Sequence, residues 1–323
     1  MTQEQLNTAL LANDGSVDIL SLSSADAMEF VSSGAVFDIN VDDELRAQQE
    51  ALVGGEAFCW DGVRYGVADD IYVGCLFENA SLAQHAPKLD WSTCSWQEVL
   101  SAAEAFQADF NGDGSPDVCF LCDSWRFPAW YGQYMASFDS PKEINFDTER
   151  FRALAEQYGR CVHAGVILNS GAENVDPERA LYVVSKLYGL NGAPFLPLPT
   201  IDGARPVPAN AFALAVSRGT RHVDWVMDFL KCFASEKVQK GLEQGVGLCA
   251  DSSIYAAYGD MTEAERRNLE EQKAYIGQSK AEWYHLEYNQ FAGDQFEKYF
   301  ADEITLDELV SSLQQKLQMV LWG

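Results

Sequence analysis

The chain of 323 residues is short of basic groups and of histidine. Twenty-two Lys and Arg stand against 49 Asp and Glu, a formal charge of −27, and a surface of that sign repels phosphate backbones and anionic headgroups. Nucleic acid is excluded as a partner on this ground, and a neutral or cationic ligand is the better match, although a biased surface composition explains the charge equally well. Only four His are present (His85, His163, His222, His285), and no two have the spacing of a metal site. The adjacency of Cys161 and His163 does not make a nucleophile pair, because a thiol–imidazole couple is assembled across a fold. No catalytic residues are assigned, and the chain is not expected to be an enzyme. No run reaches the roughly 18–20 apolar residues that a membrane-spanning helix requires. Met1-Thr2-Gln3-Glu4 has neither the basic start nor the apolar core of a signal peptide, so a soluble chain is expected.

Eight cysteines are present, and their even number permits disulfides outside the cell. Their spacing is irregular. The single close pair, Cys119 and Cys122, falls in Val118-Cys119-Phe120-Leu121-Cys122, an apolar run that reads as a buried strand. Buried free thiols are the expectation there, ahead of a zinc or redox site.

The length suits two lobes, since single cores stop growing at about 250–300 residues. Short apolar runs alternate with helical patterns throughout, without internal repeats, which predicts α/β lobes. Val17 to Leu22, Val63 to Val67 and Ile71 to Phe77 read as strands, and Ala25 to Ser32 reads as a helix closed by Ser33-Gly34. Ser95 with Glu98 three residues on is a capping-box pair that starts a helix running to about Phe106. From Phe212 to Ser217 an apolar run ends at Arg218-Gly219. Trp225, Val226, Phe229, Leu230 and Phe233 then recur as one helical stripe, predicted to dock on a core.

The segment Ala213-Leu214-Ala215-Val216-Ser217-Arg218, followed by Trp225 to Leu230 and by Ala234-Ser235-Glu236-Lys237-Val238-Gln239, resembles the family 1 extracellular solute-binding proteins of ABC importers, the maltose-binding type. Ser95-Trp96-Gln97-Glu98 and Phe195 to Gly203 carry the resemblance further, whereas the middle, from Gly132 to Leu190, is compressed. The resemblance implies a type II periplasmic-binding-protein fold of two α/β lobes joined by hinge strands: residues 1–69 and 208–282 in lobe 1, 70–207 in lobe 2, and 283–323 as C-terminal helices packing on lobe 2. It begins late in the family pattern, which implies a truncated N-terminal lobe lacking the usual first strand and helix. It also implies a monomer that delivers a solute, most readily a carbohydrate, to a membrane permease, and a place outside the cell or on its surface, lipid-anchored in a full-length form. The alternatives are a non-transport sensor, a degenerate binding protein, or a binder of a peptide or polyamine.

A sugar site pairs aromatic platforms with planar hydrogen-bonding groups. The richest such cluster is Trp125-Arg126-Phe127-Pro128-Ala129-Trp130, where Trp125 or Trp130 is the expected platform and Arg126 the expected donor, although packing of the following helix competes for these rings. The resemblance implies one further aromatic contact from a second cluster, for which Trp283, Tyr284 and Tyr288 are rivals. From lobe 1, Ser23 follows a strand at its carboxyl end, where ligands of open sheets bind, and Asp69 and Asp70 sit at an expected hinge.

No cofactor is required by this reading. The loop Asp109-Phe110-Asn111-Gly112-Asp113-Gly114-Ser115-Pro116-Asp117 has calcium-loop spacing, with oxygen donors at Asp109, Asn111, Asp113 and Asp117 and Ser115 beside them. Phe120 replaces the twelfth, bidentate ligand. A bound calcium and a plain Asx-rich turn both remain open.

Overall fold

The structure is a computed structural model that describes residues 8–10, 12, 15–23, 27, 30–51, 58–60, 62–114, 116–123, 126–138, 141–169, 179–186, 195–205, 207–235, 237–238, 248–249, 279–281 and 286–322. The described strands are β1 (Ile19–Ser23), β2 (Cys59–Trp60), β3 (Val63–Arg64), β4 (Val67–Glu78), β5 (Cys119–Asp123), β6 (Ile167–Asn169), β7 (Ala180–Lys186), β8 (Phe195–Leu196), β9 (Val207–Val216), β10 (Leu248–Cys249) and β11 (Ser279–Ala281). The helices are α1 (Asp43–Ala51), α2 (Trp96–Glu104), α3 (Ala129–Ala136), α4 (Glu149–His163), α5 (Val223–Ala234), α6 (Leu286–Phe300) and α7 (Leu306–Trp322). Two compact units result, one of Met1–Val73 with Ala209–Tyr284 and the other of Gly74–Pro208 with His285–Gly323. No described helix is long and apolar enough to cross a membrane.

In the first unit β1, β9 and the start of β4 pair antiparallel in that order. Gly66, at the approach to β4, is glycine for a steric reason: a Cβ there would stand 2.9 Å from the Cβ of Ala213 on β9. The sequence suggests two strands broken at Asp69-Asp70. The structure shows one strand instead, with a β-bulge between Ala68 and Asp70, so the extra residue is absorbed in the ladder rather than in a loop. Gln49 of α1 is fully buried and its Oε1 accepts the Ala68 N–H at 3.0 Å, which satisfies a backbone donor beside the irregularity.

Helix α5 covers this sheet with a different face from the one expected. Val226, Met227, Leu230 and Ala234 are buried against Ile39, Leu45, Val67, Ala68 and Val216, each large side chain contributing about 1.5–3 kcal/mol on burial. Trp225 is 79% exposed and Phe229 48%. The stripe read from the sequence mixes two helical faces, and the aliphatic one wins. At the partly buried edge of the packing, Lys231 bridges Asp42 at 3.1 Å.

In the second unit the order is β6-β5-β7-β4, with β5 parallel to both β6 and β7, β7 antiparallel to β4, and β8 antiparallel to β4. All five residues of β5 are buried, the pattern of a parallel strand covered on both faces. The capping box at Ser95 and Glu98 forms as the spacing predicts, and a second one, Thr305 with Glu308, starts α7. Between them, Ile201 and Ala204 exchange both backbone bonds across Asp202 and Gly203, whose positive φ values close a tight turn.

Among the described residues, Cys75, Cys94, Cys119, Cys122 and Cys161 are buried. Burial raises the Cys94 thiol to about 11 and the Cys161 thiol to about 12, which keeps both thiols protonated and weakly nucleophilic at neutral pH.

The Gln49 bond gives a test of the first unit. Gln49→Leu preserves volume but orphans the Ala68 N–H, and is expected to lower unfolding stability by about 1–3 kcal/mol, whereas Trp225→Ala is expected to cost less than about 0.5 kcal/mol. Chemical denaturation of the two variants measures both; equal losses would contradict the assigned packing.

Candidate functional site

In the second unit the chemistry gathers at the carboxyl ends of β5 and β6, where helix α3 begins. Asp123 closes β5 and is fully buried. Its Oδ2 accepts the Ala129 N–H at 2.7 Å and the Tyr158 hydroxyl at 3.3 Å. A carboxylate at a helix N-terminus answers both the unpaired amides and the partial positive charge there. Burial first, and the nearby Asp123 charge second, push the Tyr158 hydroxyl well above the ordinary tyrosine range. Tyr158 also accepts a bond from Asn169 Nδ2 at 3.1 Å, and Asn169 stands in register with Asp123 across the β5–β6 ladder. The sequence reading missed both residues. The available signal was a charged residue ending a wholly apolar strand, six positions before the first turn of an aromatic helix.

Two side-chain carbonyl oxygens among the described residues of this unit lack partners. Asn169 Oδ1 and Asn289 Oδ1 are buried without a hydrogen bond, and a buried orphan of this kind calls for a ligand or water to supply the donor. Asn169 is the better placed, at the end of a parallel strand.

Trp130 requires correction. Expected as a ligand platform, it is 0% exposed and packs edge-on to Phe151 at 5.3 Å and Phe296 at 6.1 Å. Every residue of α3 is buried, so its aromatics build the core of this unit. Tyr288 is also corrected: it is 1% exposed, on α6, and its hydroxyl bonds that of Tyr131 at 2.8 Å, with burial raising its pKa. Arg126 does not present a free guanidinium. Nε and Nη2 donate to Glu297 at 2.8 and 2.9 Å, and Nη2 also donates to Asp294 at 2.5 Å, bonds that raise its pKa further. Gly293 makes room for this clasp, since a Cβ there would lie 3.0 Å from the Arg126 Cβ. Trp125, Trp283 and Tyr284 lie outside the described residues.

In the first unit two of the predicted positions lie in one sheet. Ser23 on β1 and Asp70 on β4 both stand opposite Phe212 of β9, so they occupy one level of the sheet, two strand spacings or about 10 Å apart. Asp69 is the bulge residue next to it.

The Asp109–Asp117 loop closes through its own hydrogen bonds. Asp117 Oδ2 accepts the N–H groups of Phe110 and Asn111 at 2.7 and 3.0 Å, and Asp109 accepts those of Gly112 and Gly114 at 2.6 and 2.8 Å. The Gly114 amide above all holds the Asp109 carboxyl below its usual range. Ser115 is outside the described residues. Among the described residues no group of three or more His, Cys, Asp and Glu is assembled for a metal.

The chain shares its fold with solved solute-binding proteins over nearly all of its length. The maltose-bound MalE3 of T. maritima superposes with a TM-score of 0.72 at 13% identity, covering 98% of this chain and 88% of that one. The sugar-binding protein MalE of Xanthomonas citri gives 0.74 at 18%, over 98% and 87%. UgpB of Mycobacterium tuberculosis, in complex with glycerophosphocholine, gives 0.73 at 16%, over 98% and 86%. No protein-family model and no curated protein matches the sequence. The chain therefore has the maltose-binding-protein type of α/β fold, as the sequence resemblance implied.

Truncations at the strand ends separate the assignments. Asp123→Ala leaves two buried donors unpaired and is expected to cost about 2–4 kcal/mol of stability. Arg126→Ala removes two half-exposed ion pairs, to Asp294 and Glu297, and is expected to cost about 0–1 kcal/mol. Thermal and denaturant unfolding compare them; a larger loss for Arg126→Ala would overturn both assignments.

Proposed function

We propose that this chain is the solute-binding component of an ABC importer, taking up a small polar solute of the carbohydrate or polyol class and delivering it to a membrane permease. The observation that carries the reading is the match of nearly the entire chain to structures of solute-binding proteins, among them one holding maltose and one holding D-mannitol. Within the second unit, the orphan acceptor of Asn169 supports a ligand rich in hydroxyl donors. In the first unit, Ser23 and Asp70 each stand opposite Phe212 in the sheet and are polar residues suited to hydroxyl groups. The protein works outside the cell or on its surface, as a monomer, and performs no chemistry on the solute. Calcium, if it binds the Asp109–Asp117 loop, acts as a structural ion.

A second reading keeps the class and changes the solute. One structure of the same fold holds glycerophosphocholine, and two of the aromatics expected as sugar platforms, Trp130 and Tyr288, are core residues here. A polar solute bound by hydrogen bonds without ring stacking fits those facts.

A thermal-shift screen tests both. A solute at 100 times its Kd stabilises the native state by about 2.7 kcal/mol, a rise of several degrees in Tm for a protein of this size. A hit among mono- and oligosaccharides or polyols, weakened about three- to tenfold by Asn169→Ala, is the expected result. A hit confined to glycerophosphodiesters, peptides or polyamines replaces the carbohydrate by the second reading. Silence across all of these classes contradicts the function.

A further inference from the structure

The first unit carries a hollow of about 360 Å³ lined by Asp18, Ile19, His222, Trp225, Val226 and Phe229, at the lower end of the range of small-ligand sites. We propose that this hollow is a separate binding site for a small organic cation of the quaternary ammonium kind.

Three features support the assignment. First, its rim is aromatic and unused by the fold. Trp225 and Phe229 point away from the aliphatic face with which α5 covers the sheet, and the His222 ring lies 6.1 Å from that of Trp225 at a tilt of 33°. The face of an indole attracts a cation through its quadrupole more strongly than any other side-chain ring. Second, the hollow contains a carboxylate whose position is fixed. Asp18 Oδ1 accepts the Thr220 hydroxyl, and Thr220 Oγ1 in turn accepts the His222 N–H at 3.1 Å. This chain of bonds ties the residue before β1 to the residue before α5, so the Asp18 carboxylate is held beside the start of the helix that carries Trp225 and Phe229. Third, the charge is complementary. None of the six lining residues is Lys or Arg, the only titratable ones are Asp18 and His222, and the chain as a whole carries a formal charge of −27, a field that draws cations toward the surface. A neutral apolar guest gains nothing from Asp18, and an anion is repelled by it.

The test uses the full chain, labelled with ¹⁵N, and two probes of nearly the same shape: choline and its uncharged isostere 3,3-dimethylbutan-1-ol. Choline is expected to shift the Trp225 indole and His222 amide resonances saturably, with the isostere leaving them in place. Trp225→Ala should weaken choline binding by about fivefold, read from the His222 amide, and Asp18→Asn by about two- to fivefold, with Tm of both variants confirming the fold. Asp18→Asn keeps an acceptor for the Thr220 hydroxyl, so its effect reports charge. Equal shifts from both probes, no saturation with choline, or an Asp18→Asn variant that binds as tightly as the parent would overturn the proposal. Because neither residue belongs to the strand-end positions assigned to the main solute, failure here leaves the transport reading standing, and failure of the solute screen leaves this site untouched.

Discussion

The strand-end face of the second unit depends on one buried carboxylate. Asp123 ends a strand covered on both sides, where an isolated charge is very costly, and it is tolerated because two donors converge on it: the first-turn amide of α3 and the Tyr158 hydroxyl. That arrangement fixes where α3 starts. The position of α3 in turn sets Trp130 against Phe151 and Phe296, Tyr131 against Tyr288, and Gln133 between the Trp96 indole and the Pro199 carbonyl. Asp123, Tyr131, Gln133 and Tyr158 thus run polar groups through an otherwise aromatic core, each with a named partner. Asn169 departs from this pattern, with its amide nitrogen bonded into the network and its carbonyl oxygen left over.

Much of the fold was legible in the sequence because its signals are local. The Ser95–Glu98 box needs only four residues and formed as its spacing predicts, and β1, β5 and β9 follow from short apolar runs bounded by polar or glycine residues. The two-unit α/β architecture followed from alternation and length. What the sequence hid was orientation. The stripe from Trp225 to Phe233 satisfies two helix faces at once, and ring size suggested the wrong one. Val226, Met227, Leu230 and Ala234 fit flush on a sheet, so the bulky rings at Trp225 and Phe229 were turned outward.

The candidate site was legible only in part, for a related reason. Aromatics beside polar residues describe a sugar platform and a buried core equally well, and for Trp130 and Tyr288 the core prevailed. Arg126 in sequence looks like a donor for a ligand, but a chain with 49 acidic residues supplies carboxylates nearby, and Asp294 and Glu297 hold it. Asp123 and Asn169 were invisible because their meaning lies in register and burial, which no short motif encodes. Ser23 and Asp70 share a level of the sheet through Phe212, a long-range relation that no local motif encodes.

Hydrogen exchange at the Ala129 amide is the sharpest test of this anchoring. If the Asp123 carboxylate holds the start of α3, that amide exchanges only through global unfolding, as slowly as the amides of β5, and Asp123→Ala releases it selectively. An Ala129 amide that exchanges in the parent protein as fast as those of the exposed loops would contradict the anchoring role of Asp123.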